Sequence, residues 1–188
     1  MGRVGLVMLV GGAFLAYFGY KEYRLSKKVQ STPQRISAAD LEKNGPGDNA
    51  NVVLVDYAFG ENYFRKAKKN SDANWTKVWI PTLSSEATDP TAFQIIVVSD
   101  KIKSESNMAS AELSNQLSGV IINEIDSLGS EESKLLKQNY PKLNLDKVWI
   151  IEHDRTIPIA GKAMLMAGGG LALVVGGGVM LLGAARNK

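Results

Sequence analysis

The chain of 188 residues contains no cysteine and only one histidine, His153. Without cysteine it can form neither a disulfide bond nor a thiolate site for a metal or for catalysis. With one imidazole it cannot build a histidine-rich metal centre, and any histidine-dependent catalysis has a single candidate residue. These absences exclude thiol enzymes and the zinc modules that are built from cysteine and histidine.

Acidic residues are almost missing from the two ends of the chain. Residues 29–156 contain 14 Lys or Arg residues and 18 Asp or Glu residues, which gives a net charge of −4. The remaining residues contain 8 Lys or Arg residues and 1 Glu residue, which gives a net charge of +7. A nucleic-acid-binding domain carries its positive charge on its folded surface, but a membrane protein carries it beside its spans. The distribution therefore favours a membrane protein and no nucleic-acid partner.

A glycine-rich stretch near the C-terminus, GGGLALVVGGG at 168–178, lacks the features of a nucleotide-binding loop. Its spacing does not match the dinucleotide motif G-x-G-x-x-G, and no Lys-Ser or Lys-Thr pair follows it. No charged or hydroxyl-bearing side chain occurs over the 23 residues 163–185. Since a helix of this length crosses the roughly 30 Å hydrocarbon layer, we expect a transmembrane helix over 159–185.

A second uncharged stretch, VGLVMLVGGAFLAYFGY at 4–20, predicts another transmembrane helix with an aromatic belt at its C-terminal end. A cleaved signal peptide is the alternative interpretation, but no small-residue cleavage site precedes Lys21, and basic residues follow the apolar run. The predicted organisation is a tail at 1–3, a span at 4–20, a basic linker with a short helix at 21–50, a globular domain at 51–156, a span at 159–185 and a tail at 186–188.

Small residues recur at a spacing of four on both predicted spans, which is typical of helices whose backbones approach closely. The alternative is that these glycines only reflect the general composition of membrane helices. The predicted helix-packing positions are Gly12 and Ala16 on the first span and Gly168, Ala172 and Gly176 on the second.

Basic residues beside the spans predict both lipid contacts and an orientation. Lys21, Arg24, Lys27 and Lys28 follow the first span directly and are placed to contact lipid headgroups. Positive charge near the spans is greater on the side of the central domain than on the side of the tails. The positive-inside rule therefore favours a cytoplasmic central domain, although long domains can cross regardless of charge.

The central domain alternates β-branched apolar runs with helical stretches. This pattern predicts an α+β fold that lies against the membrane, with a mixed sheet of four or five strands and two or three helices. Ser37 is a plausible N-cap of a short helix. The predicted strands are 51–59, 77–83, 93–99, 117–122 and 147–152, and the predicted longer helices are 107–116 and 130–139.

The domain carries no recognisable catalytic motif, and we expect no catalytic residue, no cofactor and no metal site. One hypothesis places an acid–base or cation site at Asp56, Asp100, Asp126 and His153, because strand-end carboxylates can converge. The alternative is that these residues close turns, cap helices or stay solvated. The basic run RKAKK at 65–69 predicts either a contact with anionic headgroups or an acidic partner, or simply a solvated loop.

Two stretches, ISAADLEKNGPGDNANVVLVDY at 36–57 and GVIINEIDSLGSEESKLLKQNYPKLNLDKVWIIEHDR at 119–155, resemble a group of uncharacterised bacterial two-span membrane proteins with a central globular domain. This resemblance implies the two-span architecture and a location in a bacterial inner membrane, and it implies no activity. The plan of two spans around one domain is also similar to that of mitochondrial ubiquitin ligases with a beside-a-membrane domain. Those ligases carry a RING with cysteines, which this chain lacks, so only the architecture is similar.

The sequence thus predicts a two-pass integral membrane protein, a non-catalytic structural or accessory subunit of a membrane complex. We expect its partners to be the lipid bilayer and other membrane proteins or a second copy of the chain. The alternative is a membrane-anchored enzyme or small-ligand sensor that uses the carboxylate and histidine residues of the central domain.

Overall fold

The computed structural model describes residues 2–68, 71–123 and 125–186. Lys69 of the basic run and the outermost residues of both predicted tails (1, 187 and 188) lie outside the described residues. The chain divides into two compact units, a helical unit within residues 1–27 and 158–188 and a sheet unit within residues 28–157.

The helical unit consists of two long helices, α1 (Gly2–Ser26) and α5 (Ala160–Arg186). Their charged residues lie near the helix ends and the remainder is mostly apolar or glycine, with mean hydropathies of 1.5 and 2.0 over their most apolar parts. The helices pack against each other along their length. Both are long and apolar enough to span a membrane.

The sheet unit contains one mixed sheet, in which the described residues form eight strands. Seven of them lie in the order β1-β2-β7-β8-β6-β5-β3, and β4 pairs with β5 on the same side as β3. The β1–β2 and β6–β8 pairs are parallel and the other pairs are antiparallel. The strands are β1 (Gln34–Ser37), β2 (Asn51–Val55), β3 (Tyr57–Phe59), β4 (Phe64–Lys68), β5 (Ser71–Ser84), β6 (Ile95–Ser99), β7 (Gln116–Ile121) and β8 (Trp149–His153).

The main core lies on one face of this sheet. Alternate residues of the central strands, such as Leu54, Ile80 and Val97, are fully buried there. Two helices contribute to this core, α2 (Ala38–Asn44) and α3 (Glu105–Ser114). The Ser37 hydroxyl accepts a hydrogen bond from the backbone N–H of Asp40, so Ser37 caps α2 as the sequence predicts.

The fourth α-helix of the chain, α4 (Ser130–Asn139), is amphipathic and buries Leu136. Tyr140 follows it and packs edge-on against Phe93, with ring centroids 4.8 Å apart. Short 3₁₀ structure at Leu145–Lys147 leads into β8. The predicted helices at 107–116 and 130–139 therefore both form, the first of them two residues earlier than predicted.

The α+β class and the mixed sheet are confirmed, but the prediction of four or five strands is wrong. The predicted strand 51–59 is divided into β2 and β3 at Asp56, whose φ of 53° takes the backbone out of the extended conformation. Two further strands, β1 and β4, have no apolar alternation, since their sequences are QRIS and FRKAK. Both are edge strands, and edge strands commonly carry charge, which protects them from pairing with other chains.

Candidate functional site

The contact between α1 and α5 is built from small residues that recur every seven positions. On α1 these residues are Gly5, Gly12 and Gly19, and all three are buried. On α5 the buried residues are Ala163, Gly170 and Gly177. Gly12 lies opposite Gly170 and Gly5 lies opposite Gly177, so the helices are antiparallel.

The two backbones approach so closely that no side chain fits between them at these layers. A Cβ atom on Gly12 would lie 2.7 Å from the carbonyl oxygen of Gly170, and a Cβ atom on Gly170 would lie 2.6 Å from the carbonyl oxygen of Gly12. The corresponding distances between Gly5 and Gly177 are 2.9 and 2.6 Å. Ordinary contacts of a Cβ atom begin near 3.4 Å. The close approach therefore requires glycine at all four positions.

This contact only partly coincides with the predicted packing positions. Gly12 and Ala16 lie in it, since the space beside Gly170 is filled by their backbones. Gly176 is at its margin, where a Cβ atom would meet the Met8 side chain at an ordinary 3.4 Å. Gly168 faces open space and Ala172 is exposed, so neither is buried in the contact with α1. The signal that would have found Gly170 and Gly177 is the seven-residue repeat that both helices share, rather than the four-residue spacing on one of them.

The outer surfaces of the helix pair are exposed and apolar. All but two of the large hydrophobic side chains that are exposed in the described chain belong to α1, α5 or the residue before α5. Leu165 and Val7 are 77% and 72% exposed. Only 17% and 11% of the most apolar parts of α1 and α5 are buried. The core helix of a soluble protein would be mostly buried, so these helices do not have the exposure of core helices.

The C-terminal end of α1 combines basic and aromatic side chains. The Lys21 ammonium lies 5.4 Å from the ring centroid of Tyr17, and the Lys27 ammonium lies 5.1 Å from that of Tyr23. Arg24 is in the last turn of the helix, and Lys28 is exposed and begins the sheet unit. Basic and aromatic side chains at the end of an apolar helix are typical of membrane interfaces.

The four residues of the hypothetical acid–base site do not converge. Asp100 and His153 lie close together, because Asp100 directly follows β6 and His153 ends its parallel neighbour β8. Asp56 follows β2, at the same end of the strands as His153, but β2 lies two strands from β8. This separation is about 9.5 Å at ordinary strand spacing. Its carboxylate faces Asn115, whose side-chain nitrogen is 3.4 Å from it.

Asp126 lies at the opposite end of the sheet. It follows β7, where the backbone N–H of Ile122 donates to the carbonyl of Ile150 near the start of β8. There it lines a polar cleft of about 410 Å³ that also contains Lys137 and Asp146. Among the residues that the structure describes, no three carboxylate or imidazole groups lie close enough to hold a metal ion.

His153 is held by Ser99, a buried residue that sequence reasoning did not single out. The Ser99 Oγ accepts hydrogen bonds from the backbone N–H groups of Lys101 at 3.0 Å and Ile102 at 3.1 Å. These two bonds fill both acceptor positions of the hydroxyl, which favours donation of its hydrogen to the His153 Nδ1, 3.0 Å away. This arrangement favours the neutral tautomer of the imidazole, with its proton on Nε2.

The surroundings of His153 favour this neutral form. Burial lowers the pKa of the imidazole below its ordinary value, although Asp154 and Asp100 act in the opposite direction. The Nε2 atom is 3.7 Å from the carboxylate of Asp154. Ser99 is 1% exposed, and its hydroxyl hydrogen is already committed, so it does not have the access of a nucleophile. The cluster fixes the turn between β6 and α3 and joins it to the end of β8.

Comparison with known proteins gave no match: no family model, no curated protein and no solved structure is significantly similar to the chain. The resemblance to bacterial two-span membrane proteins therefore stays a prediction.

Proposed function

We propose that the chain is a two-pass integral membrane protein whose central domain acts as a non-catalytic accessory or scaffolding module of a membrane complex. The observation that carries the proposal is the apolar outer surface of the paired helices. Side chains such as Leu165 and Val7 are exposed along the length of both helices. In water this surface would drive aggregation, whereas in a bilayer it contacts lipid without cost.

The antiparallel pair agrees with this membrane arrangement. Two antiparallel spans leave both termini on one side of the bilayer and the central domain on the other. We propose that the central domain is cytoplasmic, because the residues that follow α1 are basic and include Lys27 and Lys28. The aromatic and basic side chains at the end of α1 would lie at the headgroup level on the same side.

The glycines that face away from the helix pair support association with another membrane helix. Gly168 has open space where its side chain would be, and Ala172 is exposed one turn along. Small residues on a lipid-facing surface allow the close approach of a further helix. The partner in this proposal is a membrane protein or a second copy of the chain.

The alternative, an enzyme or sensor that uses Asp56, Asp100, Asp126 and His153, is not favoured by the geometry. Asp126 is at the far end of the sheet from His153, and Asp56 is two strands from it. The remaining close pair, Asp100 and His153, belongs to a cluster whose serine is buried and whose hydrogen bonds maintain a turn.

Membrane integration is tested by washing membranes that contain the chain with alkaline carbonate. We expect the chain to stay in the pellet and to be released only by detergent. Release of a folded, detergent-free chain into the soluble fraction would contradict the proposal. Trp fluorescence shows independently whether the sheet unit is folded, because all three tryptophans lie within that unit.

Association is tested by purification in a mild detergent and measurement of the particle mass and of the proteins recovered. Gly168→Leu fills the outward-facing surface of α5 without entering the contact with α1. We expect this variant to lose its partners while the isolated chain stays folded. Gly178→Leu, at another open position of the same helix, is the matched control. Equal recovery of partners with both variants would remove the support for this helix surface.

A further inference from the structure

Residues 65–68 of the predicted basic run form part of a charged two-stranded ribbon at one edge of the sheet. β4 pairs with the first half of β5, and Lys66 lies directly opposite Lys77. Both lysine side chains are exposed. A register shift follows Lys66, where the Thr76 hydroxyl donates a hydrogen bond to the Lys66 carbonyl. The two ammonium groups therefore lie on the same face of the ribbon.

This pairing of like charges is unfavourable in the protein by itself. Like charges directly opposite each other on neighbouring strands repel. Neither ammonium lies within 4.0 Å of a carboxylate whose side chain the structure describes, although the domain as a whole has a net charge of −4. The Lys77 ammonium instead lies 5.3 Å from the ring centroid of Trp79. The ribbon thus concentrates positive charge on an otherwise acidic domain.

We propose that Lys66 and Lys77 bind the phosphate groups of anionic lipids in the membrane that holds the two helices. The inference rests on the proposed membrane insertion, because the tether keeps the domain within reach of the bilayer and raises the local lipid concentration. Each basic residue near an anionic surface strengthens binding about fivefold.

The chemistry of the ribbon favours lipid over nucleic acid. Trp75 and Trp79 are 3% and 8% exposed, so neither offers a free ring on which a base could stack. Their burial also excludes insertion of these rings into the bilayer, so the contact is ionic and superficial. The lysine ammonium is a mobile point charge, which suits headgroup phosphates that rotate freely.

The test measures how fast each lysine reacts with an amine-modifying reagent when the full chain is held in lipid nanodiscs. One set of nanodiscs contains only phosphatidylcholine and the other also contains phosphatidylglycerol, and modification is located by mass spectrometry. We expect Lys66 and Lys77 to react at least about threefold more slowly in the anionic nanodiscs. Lys134, exposed on α4, is the internal control and should react equally in both.

A single-site variant shows whether the two lysines act together. In Lys66→Gln we expect the protection of Lys77 by anionic lipid to fall severalfold, and in the matched variant Lys134→Gln we expect it to stay. Protection should disappear when the salt concentration is raised, since exposed charges are screened.

Three results would overturn the inference. The first is equal reactivity of Lys66 and Lys77 in both kinds of nanodisc. The second is protection of both lysines by inorganic phosphate in the phosphatidylcholine nanodiscs, which would indicate a site for a free anion. The third is failure of the chain to enter nanodiscs at all, and this result alone would also contradict the proposed membrane insertion.

Discussion

Addition of one methyl group to Gly170 tests the packing of the helix pair directly. In Gly170→Ala the new Cβ atom would lie 2.6 Å from the carbonyl oxygen of Gly12, whereas ordinary contacts begin near 3.4 Å. The obstructing atoms belong to the backbone of α1 and cannot rotate away. The two helices must therefore move apart by roughly 0.5–1 Å, which forfeits about a quarter to a half of the dispersion energy at each contact that opens.

We expect Gly170→Ala to reduce the free energy of helix separation by about 2 kcal/mol, within the range for overpacked cores. Gly168→Ala is a close control, since it makes the same chemical change two residues away, where no atom of α1 lies within 4 Å of the new Cβ atom. Both substitutions raise helix propensity equally. The difference between their free energies of helix separation therefore measures the change in packing alone. Gly177→Ala and Gly178→Ala form a second pair of the same kind.

The free energy of separation can be measured by trapping the separated helices. Biotin is attached to cysteines placed at Arg3 and Arg186, which are exposed near the same end of the antiparallel pair. Because the chain has no cysteine of its own, only these positions are labelled. Two bulky streptavidin molecules can bind together only when the helices have separated, so the affinity for the second molecule reports the separation equilibrium.

The reasoning is refuted if Gly168→Ala weakens the pair as much as Gly170→Ala does. It is also refuted if Gly170→Ala has a higher free energy of helix separation than the unsubstituted chain. The gain in helix propensity would then exceed the loss of packing energy at the contact. A difference of about 2 kcal/mol corresponds to roughly a thirtyfold change in the equilibrium constant, well within the range of the measurement.

Three further outcomes concern the sheet unit and can be followed by Trp fluorescence during denaturation. Burial lowers the pKa of His153 in the folded state, so as the pH falls the unfolded state takes up the imidazole proton first. The contribution of His153 to the free energy of unfolding is therefore full above about pH 6.5 and is lost as the pH falls below that value. This pH dependence should weaken in His153→Gln, and a stability that rises as the pH falls through this range would contradict the direction of the pKa shift. Ser99→Ala removes the acceptor for the N–H of buried Ile102 and should cost about 1–3 kcal/mol of unfolding free energy, and an unchanged denaturation midpoint would show that the turn does not depend on this hydroxyl. Gly45→Ala should cost about 1–3 kcal/mol because φ is +72° at this position, where the new Cβ would also meet the ring of Trp149 at 2.8 Å; full stability of this variant would mean that the loop relaxes freely.

Local features of the sequence were sufficient for much of the fold. The helices α1 and α5 follow from runs of uncharged residues, because in the membrane that we propose a helix satisfies its backbone internally. The α2 cap at Ser37 depends only on residues three positions apart. Continuous β-branched runs likewise predicted the central strands, since these bury both faces.

The strands that the sequence missed are those whose pairing is decided elsewhere. β4, with the sequence FRKAK, is a strand because β5 is long enough to accept it, and its own residues favour a solvated loop equally well. The division between β2 and β3 depends on the conformation of Asp56, which Asn115 contacts from a distant part of the chain. Neither effect has a local signature, because the contacts involved join residues far apart in the sequence.

The sequence by itself determined that both ends of this protein are apolar helices around an α+β domain, because hydrophobicity and periodicity are properties of neighbouring residues. Only the tertiary structure decided which glycines meet, since Gly168 and Gly170 are equivalent within α5 and differ only in facing away from α1 or towards it. In the same way it separated Asp126 from His153 by the length of the sheet and placed Ser99 against His153. Such placements follow from strand order and helix pairing, which bring together residues that the sequence keeps apart.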